Sequence, residues 1–184
     1  MTGRERIARW TDWHGHGLEH LSVRENDEGV LAESVVIGES DGRRFGLHYR
    51  LRIDLHWCVR EVGIQIANGA KLQLLSDGRG RWTDGEGTEI PSLAGCIDVD
   101  IAATPFTNTL PIRRLDLKTA KPETIKVAYV SLPQLVVEPV AQRYTRLANA
   151  RFRYEGLSTS FSAELEVDDE GIVRDYPGVF RRVL

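Results

Sequence analysis

The residues with the plainest chemical potential are Asp98 and Asp100, inside Gly95-Cys96-Ile97-Asp98-Val99-Asp100-Ile101. Ile97, Val99 and Ile101 alternate with them, which predicts a strand, and residues two apart on a strand point the same way. Two carboxyls held that close raise each other's pKa and can divide acid and base roles, as glycosidases do. Arg113 and Arg114 follow. They either neutralise the two aspartates across the sheet, the more ordinary arrangement, or hold an anionic group through forked hydrogen bonds. The catalytic alternative is an enzyme acting on a sugar-containing or phosphorylated small molecule, with Asp98 and Asp100 as acid/base pair and Arg113 as anion holder. The ordinary reading is preferred, and no catalytic residue is assigned.

Other constellations are weaker. His14, His16 and His20, with Asp12, could share a divalent metal, but no thiolate or carboxylate stands at a fixed ligand spacing, so no metal is assigned. Gly156-Leu157-Ser158-Thr159-Ser160 begins like a nucleophile elbow and lacks both the second glycine and a following helix. Arg79-Gly80-Arg81-Trp82 mixes arginine, glycine and an aromatic as some single-strand binders do, yet reads as a turn. Asp168-Asp169-Glu170-Gly171 is too compact for a calcium loop. Cys58 and Cys96 belong to no paired-cysteine motif and suit a reducing compartment. No cofactor is expected.

The elements that position these residues are strands. From Phe45 to Val59 every second residue is large and apolar, which predicts one long ribbon. Its polar row, His48, Arg50, Arg52, Asp54 and His56, reads either as a wetted outer face or as a groove wall, the former being commoner. The phase slips after Val59, since Val62, Ile64 and Ile66 continue it, so a bulge is expected at Arg60-Glu61. Turns are expected at Asn26-Asp27-Glu28-Gly29, Ser40-Asp41-Gly42, Asn68-Gly69, Asp77-Gly78, Asp84-Gly85 and Asp168–Gly171. Strands are expected at Leu18–Arg24, Val30–Ile37, around Leu72 and Trp82, at Leu135–Glu138, Gln142–Leu147, Phe152–Glu155, Phe161–Val167 and Ile172–Tyr176. A hairpin is expected from Arg113–Lys118 and Thr124–Val130. Thr104–Pro111 is non-repetitive, and Ala141–Ala150 is the least improbable helix. The whole reads as an all-β or mainly β domain over residues 1–184, a single strongly curved antiparallel sheet with few or no helices.

With 184 residues, 41% hydrophobic and 28% charged, the chain can build a sizeable core. A net charge of −3 argues against a general nucleic-acid binder. No apolar run is long enough for a membrane-spanning helix, and Met1–Ile7 has no apolar leader core, so a cytoplasmic chain is expected.

The run Thr104-Pro105-Phe106-Thr107-Asn108-Thr109-Leu110-Pro111-Ile112-Arg113-Arg114-Leu115, with Gly95–Ala103 before it, resembles the signature of a bacterial family of unknown function described as "putative glycolipid-binding". Asp54-Leu55-His56-Trp57, Gly80-Arg81-Trp82, Gln142-Arg143-Tyr144 and Asp168 through Gly178 resemble other parts of its pattern. The resemblance implies a half-barrel similar to bacterial lipoprotein localisation factors, wrapped around a groove. It implies a non-enzymatic binding protein that holds a glycolipid or fatty-acyl ligand in the concave face. The ligand-binding candidates are then Trp57, Trp82, Asp98, Asp100, Thr107, Asn108, Arg113, Arg114, Gln142 and Tyr144, with ordinary core packing the alternative for each aromatic. An apolar concave face must be filled by side chains, a ligand or a second copy, so a homodimer is a further expectation.

Overall fold

Alternation of inward and outward residues dominates the chain. In a computed structural model that describes residues 4–40 and 42–184, it yields fourteen strands among the described residues. Asp41, in the turn expected at Ser40–Gly42, and Met1–Gly3, at the start of the leader reading, lie outside the described residues. The first seven strands are β1 (Arg4–Asp12), β2 (Leu18–Asn26), β3 (Gly29–Ser40), β4 (Arg43–Ile53), β5 (Val59–Ile66), β6 (Lys71–Ser76) and β7 (Trp82–Asp84). The second seven are β8 (Asp98–Ile101), β9 (Pro122–Val130), β10 (Val137–Ala148), β11 (Arg151–Gly156), β12 (Ser162–Val167), β13 (Val173–Tyr176) and β14 (Phe180–Arg182). All belong to one sheet in the order β7-β6-β5-β4-β3-β2-β1-β14-β13-β12-β11-β10-β9-β8. Every pairing is antiparallel except β8 with β9. One short α-helix, α1 (Thr109–Arg114), lies between β8 and β9.

In β4, Leu47, Tyr49, Leu51 and Ile53 are buried, while His48 and Arg52 are exposed and Arg50 is half-buried beside Glu33 at 3.7 Å. The polar row therefore faces solvent. The long ribbon does not continue to Val59. It breaks at Asp54, whose Oδ1 accepts the backbone N–H groups of His56 and Cys58 at 2.9 and 3.0 Å. That side chain replaces the ladder and makes an Asx-type turn, and Trp57 takes the left-handed conformation at φ 62°. The pairing passes from Arg52 opposite Glu61 to Ile53 opposite Val59, so Arg60 is the extra residue of a bulge, where the phase slip at Arg60-Glu61 places it. At Asn68-Gly69 the left-handed residue is Asn68 (φ 55°).

The expected hairpin after Pro111 is corrected. Arg113 and Arg114 end a helix, so the hairpin from Arg113–Lys118 does not form; β9 pairs with β8 and β10 instead. Pro111 sits in the first turn of α1, where its missing N–H has no intrahelical partner to lose. Gln142–Leu147, expected as a strand, lies in β10, which runs through Pro139 opposite Ala128 and leaves no helix over Ala141–Ala150. β1 and β14 were not anticipated, and they join the two halves of the sheet edge to edge.

The inward face is covered by the chain itself. Residues 103–111 are all buried. Phe106 and Leu110 pack with Trp10, Leu21, Tyr49, Val62 and other inward residues of β1–β6. Ile112, Leu115 and Leu117 pack with Tyr144, Phe152, Leu165 and Val173 from β10–β13. The stretch that carries the family signature is thus a plug gripped by both halves of the sheet.

Candidate functional site

A buried plug with polar side chains must satisfy them internally. Thr107 Oγ1 donates to Asp100 Oδ1 at 3.0 Å, and Gln142 Nε2 donates to Asp100 Oδ2 at 2.6 Å. Tyr144 OH donates to Asn108 Oδ1 at 2.9 Å, and Asn108 Nδ2 donates to the carbonyl of Pro105 at 3.1 Å. Burial pushes the Asp100 carboxyl up, and the bonds from Gln142 and Thr107 oppose it. Burial, then the charge of Asp100, pushes the Tyr144 hydroxyl well above its ordinary value. Five of the ten candidates, Asp100, Thr107, Asn108, Gln142 and Tyr144, therefore form one network.

The other five lie elsewhere. Asp98, fully buried, is clasped by Arg114, with Nη2–Oδ2 at 2.6 Å and Nε–Oδ1 at 3.0 Å. Burial raises Asp98 against the opposing pull of Arg114; burial lowers Arg114, but the bonds and charge of Asp98 outweigh it. Arg113 turns away from both aspartates. Its guanidinium lies 4.5 Å from the ring centre of Trp57 and donates to the carbonyl of Glu170 at 3.0 Å. Trp82 Nε1 donates to the Cys96 carbonyl at 2.6 Å, apart from the Asp100 network. Asp98, Asp100 and Arg113 do not converge, so the acid/base constellation with an anion holder is not assembled.

Two adjoining hollows open where the plug meets the β1–β14 seam. One, of about 230 Å³, has Asp100 and Asn108 in its lining, with Tyr154, Phe161, Tyr176 and Phe180 as walls. Their rings stack edge-on or tilted, with centroids 6.0–6.3 Å apart from Tyr154 through Phe161 and Tyr176 to Phe180, a favourable aromatic arrangement. The other, of about 200 Å³, is bordered by Trp10, Val36, Phe45 and Leu132, with Glu19 in its lining. Ala102, Val179 and Phe180 border both. A larger groove of about 610 Å³ between the β2–β3 and β4–β5 turns is walled by exposed Arg24, Arg52 and Arg60.

Glu19 is the functional candidate that sequence reasoning missed. It is 2% exposed, and its Oε1 accepts hydrogen bonds from Ser34 Oγ (2.9 Å), Tyr49 OH (2.7 Å) and Thr104 Oγ1 (2.9 Å). Oε2 has no partner. Burial pushes its pKa up to about 7 against the three hydroxyl bonds. The available signal was phase: Glu19 occupies the inward row of β2 with Leu21 and Val23, where a carboxylate does not belong without a reason.

The three N-terminal histidines gather no ligand set. His14 and His16 are exposed, Arg9 Nε donates to His20 Nδ1 at 2.9 Å, and no cluster of three metal-ligating side chains occurs among the described residues. Gly156–Ser160 is the turn between β11 and β12.

Fold and hollows together define a mainly β protein, one mostly antiparallel sheet packed on a buried segment, with two adjoining hollows beside it. A family model described as "Putative glycolipid-binding" matches residues 7–182. The crystal structure of a DUF1089 family protein (PA1994) from Pseudomonas aeruginosa is similar at 40% identity and a TM-score of 0.80, covering 91% of this chain and 92% of that one. Curated proteins give no match. The chain belongs to the Putative glycolipid-binding family.

Proposed function

We propose that residues 1–184 act as one non-enzymatic binding domain, a half-barrel around its plug, and that the two hollows, as one divided cleft, hold an amphipathic ligand, a glycolipid or another acyl compound. The observation that carries this reading is the pairing of an aromatic wall with buried hydrogen-bonding groups in hollows the plug leaves unfilled. Ligand sites are mostly apolar concavities with a few placed polar groups. Each hollow is smaller than the roughly 300–1,000 Å³ of a typical small-molecule site, so each suits a fragment, a sugar ring or a short length of chain. The plug's contacts with both halves of the sheet support the half-barrel. The dispersal of Asp98, Asp100 and Arg113 favours binding over catalysis. Two free cysteines suit the cytoplasmic setting proposed here. No helix among the described residues is long and apolar enough to cross a membrane. Edge pairing would be one route to a homodimer, and β7, three residues long, gives it little strand to use.

Titration with octyl glucoside below its micelle concentration tests the reading. Saturable binding is expected, weakened about threefold to tenfold in Tyr154→Ala, whose ring leaves the wall. Equal affinity in the variant, or no saturable binding, would contradict it.

A further inference from the structure

Charge is distributed unevenly around the cleft. The hollow beside Trp10 has Asp12, Glu19 and Glu39 in its lining, and its neighbour has Asp100. None of the described residues lining either hollow is basic. Arg113 and Arg114, the expected anion holders, are engaged with Glu170 and Asp98. An anionic head group would meet only like charge here.

Glu19 adds a second, independent feature. The register sets Glu19 opposite Val36, while Ser34 and Tyr49, which hold Oε1, lie deeper along their strands. Val36, Ile37 and Gly38 border the hollow. Glu19 lines the same hollow, and its Oε2 is buried without a partner, so a ligand in the hollow reaches that oxygen by a turn of the side chain. Three hydroxyl donors on one oxygen favour an ionised carboxylate, and burial alone opposes it. A cation delivered to Oε2 would supply what the site lacks.

We propose that the Glu19 hollow is a subsite for a primary ammonium group carried on an apolar chain, so that the preferred ligand is an amphipathic amine. This rests on the cleft being the ligand site. The ammonium pairs with Glu19 Oε2, and Trp10, Val36 and Leu132 receive the first carbons of the chain. The other titratable groups near Glu19 are Tyr49 on β4, whose hydroxyl burial pushes far up, Asp12 on β1, Glu39 on β3, and Asp100 beyond Thr104. Burial pushes the Asp12 carboxyl up, but backbone N–H groups from His16 and its neighbours outweigh this and hold it below its usual value.

The test compares octylamine, octanol, octanoate and octyl glucoside by calorimetry on the wild type and Glu19→Gln. Glutamine keeps the acceptor for the three hydroxyls and removes the charge. Octylamine is expected to bind tightest and octanoate not at all. With Glu19 titrating at about 7, octylamine affinity should rise about thirtyfold from about pH 5.5 to about pH 8.5. In Glu19→Gln that slope should vanish and affinity at the upper pH fall at least about tenfold, with octanol binding retained as proof that the hollow is intact. Equal binding of octanoate, or a pH slope that survives in Glu19→Gln, would overturn the amine subsite. Octyl glucoside binding without octylamine binding would overturn it too and leave the proposed function standing; no binding of any probe would overturn both.

Discussion

At the scale of single residues, the site is a problem of buried acids. Glu19 titrates at about 7 in the folded chain against 4.5 for the free side chain. A raised carboxyl contributes its stability below the unfolded value, and that contribution is lost as pH rises through the folded one. The ligand-free protein should therefore lose on the order of 3 kcal/mol between about pH 4.5 and about pH 7.5 from this group. Asp98 and Asp100 shift in the same direction, so the difference between wild type and Glu19→Gln isolates the effect. Urea midpoints at both pH values measure it, and equal pH dependence in the two proteins would refute the assignment. The Asp98–Arg114 pair gives a second prediction. Arg114→Met leaves a buried carboxylate unpaired and should cost about 3–5 kcal/mol, while Asp98→Asn with Arg114→Met together should recover part of that loss. Additive losses in the double variant would contradict the pairing. Asp100 was legible in the sequence because strand alternation exposed it. Glu19 was not, since one carboxylate inside an apolar row resembles any surface glutamate until the row's inward face is known.

The elements show where local pattern misleads. Phe45 to Val59 keeps its alternation through Leu55 and Trp57, yet Asp54 ends the strand by accepting two backbone N–H groups. Side-chain capture of backbone donors competes with a ladder and leaves no trace in hydrophobic periodicity. Asp54→Ala should cost about 1–2 kcal/mol, measurable as a lower urea midpoint with unchanged slope, because two bonds that fix the β4–β5 turn are lost. A change under about 0.5 kcal/mol would show that Trp57 packing holds the turn alone. The plug was visible only as a resemblance. Helix α1 is six residues long, too short to show a helical period, and its arginines sit where a strand pattern was read. The aromatic wall escaped for a different reason. Tyr154, Phe161, Tyr176 and Phe180 come from separate strands and turns, and only the strand order brings them together.

At the scale of the whole molecule, the sheet is two meanders sewn together where the chain's described ends meet. Trp10 pairs opposite Arg182, Thr11 opposite Arg181 and Asp12 opposite Phe180. Trp10 Nε1 donates across the seam to the Val173 carbonyl at 2.9 Å, and Val183 N donates to the Arg9 carbonyl at 2.8 Å. Phe180 belongs both to this seam and to the partition between the hollows. Ending the chain at Val179 should therefore destabilise the whole sheet in one transition and abolish octyl glucoside binding. A truncated protein with an unchanged urea midpoint would show that the halves do not depend on the seam. Such closure pairs residues from opposite ends of the sequence, which short-range pattern cannot anticipate. Mainly antiparallel β structure and the family were legible; how the inward face is filled was not, since plug, partner and ligand all satisfy the same apolar alternation. The account stands most directly on a crystal structure of the complex with octyl glucoside. It predicts the sugar ring against Tyr154 and Tyr176 and the chain passing Phe180 toward Trp10. A ligand on the outer face of the sheet, with both hollows empty, would contradict it.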